Sequence, residues 1–404
     1  MMQYRKDEKS GNKLSVLGFG CMRFPRAFGV IDMKKTSAMV REAVDRGVNY
    51  FDTAWIYPGS EEALGAALAE HGLRDKVYIA SKLPVIVCKK SEDFDRYFLQ
   101  SLERLKTDRI DYYLMHMLTD INSWEKLKNW GIEDWIRQKK ESGALRQAGF
   151  SFHGARDDFL AILSGYDWDF CQIQYNYSDE NYQAGRTGLK AAAEKGIPVI
   201  IMEPLLGGRL IDNLPKAARE AFKKADPAPS LADWGLNWLW NQAEVTVILS
   251  GMSGMEQLQE NIGLTEKARA GSLSPASLAV FDEVKRIFNS SRKVNCTACA
   301  YCMPCPQQVN IPGCFAAYNT SFAFSLIEGL KQYVASTGAA TLTHHMAGLC
   351  IKCGKCEKHC PQNIKVSAAL DDVKRRLEPF WVRAALSIFR SMTGRAPQTQ
   401  QELK

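Results

Sequence analysis

Nine of the chain's twelve cysteines lie between Cys296 and Cys360, and their spacing is the first sign of chemistry. Cys296, Cys299, Cys302 and Cys305 follow one another at two-residue gaps, with Pro306 next. Cys350, Cys353 and Cys356 repeat that spacing, and Cys360 follows after a three-residue gap, beside Pro361. Thiolates are soft donors that suit zinc or iron–sulfur clusters. Two-residue gaps let three thiolates wrap one cluster corner to corner, while a fourth must approach from elsewhere. Zinc sites also use such pairs, but they set two pairs far apart rather than four cysteines in succession, twice. The pattern therefore favours iron–sulfur. Cys314 fits neither run and reads as a packed thiol, and His344, His345 and His359 read as polar surface.

A second set of residues is suited to moving protons. Asp52, Tyr57, Lys82 and His116 are far apart in type but close in sequence logic, because Asp52, Lys82 and His116 each close a short apolar run. A phenol with a pKa near 10 is a poor proton donor at neutral pH. A neighbouring ammonium stabilises the phenolate, which lowers that pKa and eases proton donation to a carbonyl oxygen. A buried Asp can keep the Lys charged, and a His can hydrogen-bond the same oxygen and orient the carbonyl.

The elements that must position these groups alternate. Strand-like runs occur at Val16–Met22, Val48–Asp52, Val77–Ser81, Ile110–His116, Ala148–Phe152, Phe170–Tyr175, Val199–Glu203 and Thr246–Ser250. Between them, Lys34–Arg46, Ser60–Glu70, Glu92–Lys106, Ser123–Glu141 and Arg186–Glu194 have the three-and-four spacing of helices. Gly47, Gly143 and Gly196 stand where helices should end. Eight strands alternating with helices fit an α/β fold with an all-parallel sheet, and their count favours a closed (β/α)8 barrel over an open sheet. Gly18-Phe19-Gly20-Cys21-Met22-Arg23 breaks the dinucleotide fingerprint at its last position, which also disfavours the open fold.

Composition excludes other classes. With 46% hydrophobic and 24% charged residues the chain is an ordinary globular one, and a net charge of +7 is too mild to imply nucleic acid. No apolar run is long enough for a membrane span, and the polar start over residues 1–12 lacks the core of an export signal. A cytoplasmic location is expected, where clustered cysteines bind metal rather than form disulfides.

Phe51-Asp52-Thr53-Ala54-x-x-Tyr57, Ser81-Lys82 and Tyr113-Leu114-Met115-His116 resemble the catalytic motifs of the aldo-keto reductases, across roughly residues 14–270. The resemblance implies an eightfold barrel and reversible carbonyl reduction with NADPH or NADH bound in extended form, Tyr57 being the proton donor. It also implies cofactor contacts. Ser151 and Gln172 match residues that hold the nicotinamide carboxamide. Met202, Pro204, Leu205 and Gly207 match the loop over the nicotinamide and pyrophosphate, while Gly251, Met252, Gln257, Glu260 and Asn261 match the adenosine-phosphate loop and its helix. Three departures stand out. Phe152 replaces an Asn, Met202 replaces an aromatic residue, and Gly251 and Gln257 replace the Lys and Arg of the 2′-phosphate clamp. Lys267 and Arg269 are the nearest cations in sequence that could substitute. Trp55, Trp124, Trp130 and Phe152 are candidates for an apolar substrate pocket, although tryptophans at helical spacing are more often core.

The cysteine runs resemble a two-cluster ferredoxin domain with a long insertion, Ile311–Leu349. That resemblance implies two 4Fe–4S clusters with exchanged fourth ligands. One takes Cys296, Cys299, Cys302 and Cys360; the other takes Cys350, Cys353, Cys356 and Cys305. The expected organisation is a barrel over 1–270, a linker helix over 271–293 and a mainly helical ferredoxin-like domain over 294–380. An amphipathic helix and polar tail over 381–404 follow. In the linker, Leu278, Phe281, Val284 and Ile287 or Phe288 share one face. In the last helix Arg383 and Arg390 oppose Phe380, Trp381, Leu386 and Phe389, a face expected to pack on the domain rather than on a membrane.

Three functions compete on these grounds. The first couples reduction of a small-molecule carbonyl, or oxidation of an alcohol, to electron transfer through the clusters and a one-electron partner protein. The second is a plain carbonyl reductase with structural clusters. The third is a non-catalytic regulatory subunit on a barrel fold. The intact set of Asp52, Tyr57, Lys82 and His116 argues against the third.

Overall fold

Short β-branched and aromatic runs bounded by glycine-containing turns can satisfy their backbones only by pairing, and here eight of them pair in parallel. A computed structural model of the chain describes residues 1–296, 302–339, 344–360 and 362–392. The strands are β1 (Leu17–Gly20), β2 (Tyr50–Asp52), β3 (Tyr78–Leu83), β4 (Ile110–Leu118), β5 (Leu145–Phe152), β6 (Phe170–Gln174), β7 (Val199–Met202) and β8 (Val245–Ser250). They close into a barrel in chain order, β8 pairing with β1 through Ile248 and Leu17. An N-terminal hairpin, Tyr4–Lys6 with Lys13–Ser15, sends Leu14 into the barrel interior.

The interior layer decides where chemistry can sit. Tyr50, Ala80, Tyr112, Leu114, Phe170, Ile200, Val247 and Leu249 fill the bore, with Tyr112 edge-on to Tyr50 and Phe170 at 5.2 and 5.0 Å. Side chains repeat their direction every second residue along a strand. Two positions beyond this layer stand Asp52, Lys82, His116, Gln172, Met202 and Gly251. The same face of five strands, with the residue just past β8, therefore carries candidate site residues at the ends where barrel chemistry is found.

The helices follow the expected spans closely, with one difference. The run Ser123–Glu141 is two helices, Ile121–Asn129 and Ile132–Glu141. Gly131, at φ 82°, provides the left-handed turn between them, a conformation that costs other residues far more. Of the aromatic pocket candidates, Trp124 is core against Trp168 (4.7 Å) and Phe152 is core against Phe159 (5.3 Å). Trp55 packs edge-on to Tyr97 and hydrogen-bonds Gln100.

The chain divides into two compact units: Met1–Ile211 with Asp226–Leu278, and Asp212–Ala225 with Ala279–Lys404. The second unit includes a helix from within the barrel's sequence, Lys216–Ala225, whose Phe222 meets the Phe281 ring at 5.4 Å. The helix Pro275–Ser291 buries Phe281, Val284 and Phe288, but Leu278 is exposed, so the expected stripe starts one turn later.

The expected insertion, Ile311–Leu349, contains two helices, Ile311–Ala323 and Leu326–Thr337, capped by Asn310 and Ser325. Their Phe315 and Tyr333 share a core with Val366, Leu370, Val373 and Leu377 of the helix Val366–Leu377. Glu378 is buried there and accepts hydrogen bonds from the Tyr333 hydroxyl and the Gly348 N–H. In the last helix, Phe380–Met392, Val382 is buried and Leu386 packs on the core, yet Phe380 and Trp381 are exposed. The expected packing face is thus only partly used. The Phe389 and Arg390 side chains and the tail over 393–404 lie outside the described residues. Among the described residues no helix is long and apolar enough to cross a membrane.

Candidate active site and thiol pocket

Lys82 is the centre of the barrel site. Its Nζ donates to Asp52 Oδ1 at 2.6 Å and to the Thr53 carbonyl at 2.7 Å, and it stands 5.3 Å from the centre of the Tyr57 ring. The His116 ring meets the Tyr57 ring edge-on at 5.8 Å. Asp52, Lys82 and His116 are buried, while Tyr57, on the loop after β2, is half-buried. All four expected residues are therefore brought together.

The electrostatics follow from burial. Loss of water alone would push Lys82 down, but Asp52 and Tyr57 outweigh it, so the ammonium is held charged. Burial raises the Tyr57 phenol, and Lys82 pulls it back only in part. This corrects the expectation that the ammonium would bring the phenol below its ordinary value: at this loop position desolvation is the larger effect. Burial, then the charge of Lys82, then His153 bring His116 down to about 2, so its ring is neutral.

Gln172 completes the buried network. Its Nε2 donates to Asp52 Oδ2 at 3.2 Å, which fixes the amide orientation because a carboxylate can only accept. Its Oε1 is then left buried without a partner. Ser151 lies beside Gln172 in register, and its Oγ accepts the Met117 N–H at 2.9 Å. A carboxamide NH2 is the donor that Gln172 Oε1 lacks, so these two residues fit a nicotinamide.

In the second unit, Cys305, Cys350, Cys353 and Cys356 line one pocket together with Gln307, Gly354 and Ser367. The Lys352 N–H points at Cys350 Sγ (3.4 Å), and burial followed by the nearby charges of Cys350, Glu357 and Cys305 keeps the Cys356 thiol high. Cys305 comes from the first run and the other three from the second. Cys296 and Cys302 pack on the same core, Cys360 is half-buried, and Cys299 lies outside the described residues. Among the described residues no three His, Cys, Asp or Glu side chains are grouped to hold a single metal ion. The four cysteines of two separate runs nevertheless border one pocket. Cys314 is buried, with its Sγ 3.9 Å from the His345 carbonyl, which agrees with its reading as a packed thiol.

The aldo/keto reductase family profile matches residues 16–284. The chain belongs to that family. A 4Fe-4S dicluster domain profile matches residues 295–364 of this reductase. The uncharacterized oxidoreductase YrpG of Bacillus subtilis is 26% identical over 311 residues, covering 66% of this chain and 91% of the relative. The L-glyceraldehyde 3-phosphate reductase of Escherichia coli K12 is 26% identical over 308 residues, covering 65% of this chain and 87% of that one. An aldo-keto reductase from Klebsiella pneumoniae in complex with NADPH shares the fold, with a TM-score of 0.58 at 24% identity over 70% of this chain and 96% of that one. The protein is thus an oxidoreductase of the aldo/keto reductase type with a 4Fe–4S domain.

The expected cofactor loops of this reductase lie at the ends of β7 and β8. Beyond Met202, the loop with Pro204, Leu205 and Gly207 is tightly wound, Glu203 and Leu206 having φ of 54° and 49°. After β8, Met252 is buried, Gln257 Oε1 accepts the Ser253 N–H at 2.9 Å, and Asn261 Nδ2 donates to Ser250 Oγ at 3.0 Å. Glu260 Oε1 accepts from the Ser230 hydroxyl at 2.7 Å, and Lys267 lies 3.5 Å from the Asp233 carboxylate. His153 is a site residue that sequence reasoning passed over. Burial and the charge of Lys82 bring it down to about 4, so its ring too is neutral. It stands two residues past Ser151, just beyond the end of β5.

Proposed function

We propose that the barrel reduces a small-molecule carbonyl compound, or oxidises the matching alcohol, with NADPH or NADH, and that the C-terminal unit holds two 4Fe–4S clusters. The observation that carries the first part is the convergence of Asp52, Lys82, Tyr57 and His116 at one end of the bore. A bound nicotinamide supplies hydride to the carbonyl carbon. The Tyr57 hydroxyl gives its proton to the carbonyl oxygen, so hydride and proton together make the alcohol. Lys82 stabilises the phenolate that remains, and Asp52 keeps Lys82 charged throughout. Neutral His116 donates a hydrogen bond to the same oxygen and fixes the carbonyl's orientation. Tyr57 recovers its proton from solvent, to which it is partly open.

Ser151 and Gln172 hold the carboxamide in this reading. Met202, Pro204, Leu205 and Gly207 cover the nicotinamide and pyrophosphate, and Gly251, Met252, Gln257, Glu260 and Asn261 face the adenosine end. NADPH in the Klebsiella relative supports a nicotinamide cofactor. Gly251 and Gln257 bring no charge to a 2′-phosphate, so NADH is accepted and NADPH has no large advantage.

For the clusters, the pocket shared by Cys305 with Cys350, Cys353 and Cys356 supports the exchanged ligand set. Cys296, Cys299, Cys302 and Cys360 hold the other cluster. Clusters exchange single electrons, which would pass to a one-electron partner protein. A second reading, purely structural clusters, is favoured by the packing of Cys296, Cys302, Cys305, Cys350 and Cys356 on the unit's own core. Anaerobic NAD(P)H oxidation with a panel of aldehydes, repeated with an artificial one-electron acceptor, separates the two. Turnover with aldehydes alone means structural clusters; turnover with the acceptor, lost on removing iron, means an electron path; neither turnover sinks the enzymatic reading.

A further inference from the structure

The turn that delivers Cys350 is held from behind by two buried polar side chains. It is the single turn Ala347–Leu349, directly before that cysteine, and the Cys350 N–H closes it on the Ala347 carbonyl at 3.0 Å. The Ala347 N–H donates to the Tyr333 hydroxyl at 2.7 Å, and the Gly348 N–H donates to Glu378 Oε1 at 2.9 Å. The Tyr333 hydroxyl in turn donates to the same Oε1. Glu378 Oε2 stands 2.6 Å from the point where a Cβ on Gly348 would be, so the carboxylate fills the room that this glycine leaves. Tyr333, on the helix Leu326–Thr337, and Glu378, just past the helix Val366–Leu377, are both buried.

The segment before the turn ties the two cysteine runs together. The His345 carbonyl accepts the Asn310 N–H at 3.0 Å, and the Gln308 N–H closes on the Cys305 carbonyl at 2.8 Å. His345 Nδ1 lies 2.7 Å from the Gln308 carbonyl, which can only accept, so this nitrogen carries the hydrogen. His345, expected to be polar surface, is instead a link between the segments that carry Cys305 and Cys350. Burying a carboxylate is costly unless hydrogen bonds offset the lost water. The Gly348 N–H reaches Glu378 directly, and Tyr333 relays the hold on Ala347. An apolar pair would fill the same core but leave both N–H groups without these partners.

We propose that Tyr333 and Glu378 are positioning residues for one 4Fe–4S cluster, fixing the turn Ala347–Leu349 and so aiming Cys350 into the pocket it shares with Cys305, Cys353 and Cys356. The inference rests on the cluster reading above and assigns the insertion a task in it: outer support for this cluster and not for the other. Partners behind the ligands of a metal site set ligand orientation and tune what is bound.

Iron release to a chelator from the full chain purified without oxygen, together with a redox titration followed by electron paramagnetic resonance, tests this. Tyr333→Phe keeps the ring in its core and removes only the hydroxyl. About half of the iron should then leave about 10- to 100-fold faster, the other half keeping the wild-type rate. The potential of one cluster should shift while that of the other stays. Gly348→Ala, which leaves both side chains in place but displaces the carboxylate, should give the same pattern. Glu378→Gln, which keeps an oxygen for both bonds, should stay near wild type. Unchanged release and potentials in Tyr333→Phe would overturn the assignment. Equal acceleration of all the iron with a lower melting temperature would also overturn it, leaving the pair an ordinary part of the core. If the wild-type chain holds no iron and sulfide, the cluster reading itself falls, and the assignment with it.

Discussion

In the barrel, Asp52, Lys82, His116 and Gln172 come from four different strands and are no more than 6% exposed. In the C-terminal unit the candidate ligands come from two short runs, and those described are half-buried or, for Cys353, exposed. The first site is complete in its hydrogen bonds before any small molecule arrives, apart from atoms such as Gln172 Oε1 that await one. The second is a pocket bordered by four cysteines, beside a small core of its own. A site built on strand register is preorganised by the fold, whereas a site built on sequence spacing draws part of its cohesion from what it binds.

The largest expected effect tests preorganisation. Tyr57→Phe should lower carbonyl reduction by about 10²- to 10⁴-fold, the usual weight of a positioned proton donor, and leave the cofactor dissociation constant nearly unchanged. Undiminished turnover would remove Tyr57 from its role. Lys82→Met should be equally inactive, and it should also lower the barrel's melting temperature, because it leaves Asp52 buried without its partner.

The next effect tests dependence on the bound group. The wild-type chain purified without oxygen should contain about eight iron and eight sulfide per chain, with broad visible absorption that bleaches on reduction. Cys353→Ser should lose about half of both and destabilise the C-terminal unit, while the barrel keeps its cofactor affinity. One zinc per four cysteines with no sulfide would refute the cluster reading. A barrel that loses cofactor affinity in this variant would break the contrast between the two sites.

A smaller effect concerns pH. His116, brought down to about 2, and His153, to about 4, remain neutral in the folded barrel at pH 5. In the unfolded chain, with an ordinary pKa near 6.5, both take up protons. The unfolded state then binds more protons, so this stability is present at pH 7 and lost as pH falls below about 6.5. At pH 5 the loss is on the order of 2 kcal/mol for each histidine. Thermal unfolding of the barrel at pH 7 and pH 5 measures it, and His153→Gln should flatten the slope. The smallest expected difference is between cofactors: dissociation constants for NADH and NADPH should agree within about tenfold, since no dedicated 2′-phosphate charge is in place.

Much of this was legible in the chain itself. Short apolar, β-branched runs located all eight strands to within a few residues, because a strand buried on both faces leaves little freedom of composition. Asp52, Lys82 and His116 were visible as polar residues closing such runs, and the cysteine runs carried their pattern in local spacing. Other features depend on neighbours that the sequence does not place together. The break at Gly131 is a local conformation that helical periodicity passes over. The net upward shift of Tyr57 is a balance between desolvation and one ammonium, and only packing sets the depth of burial that decides it. Phe380 and Trp381 have the pattern of a packed face, yet remain exposed. Glu378 is the clearest case. In sequence it is one more acid after a helix, far from Tyr333 and Gly348. Packing of the insertion's helices on Val366–Leu377 buries it beside them, and only then does the absence of a side chain at Gly348 become room for a carboxylate.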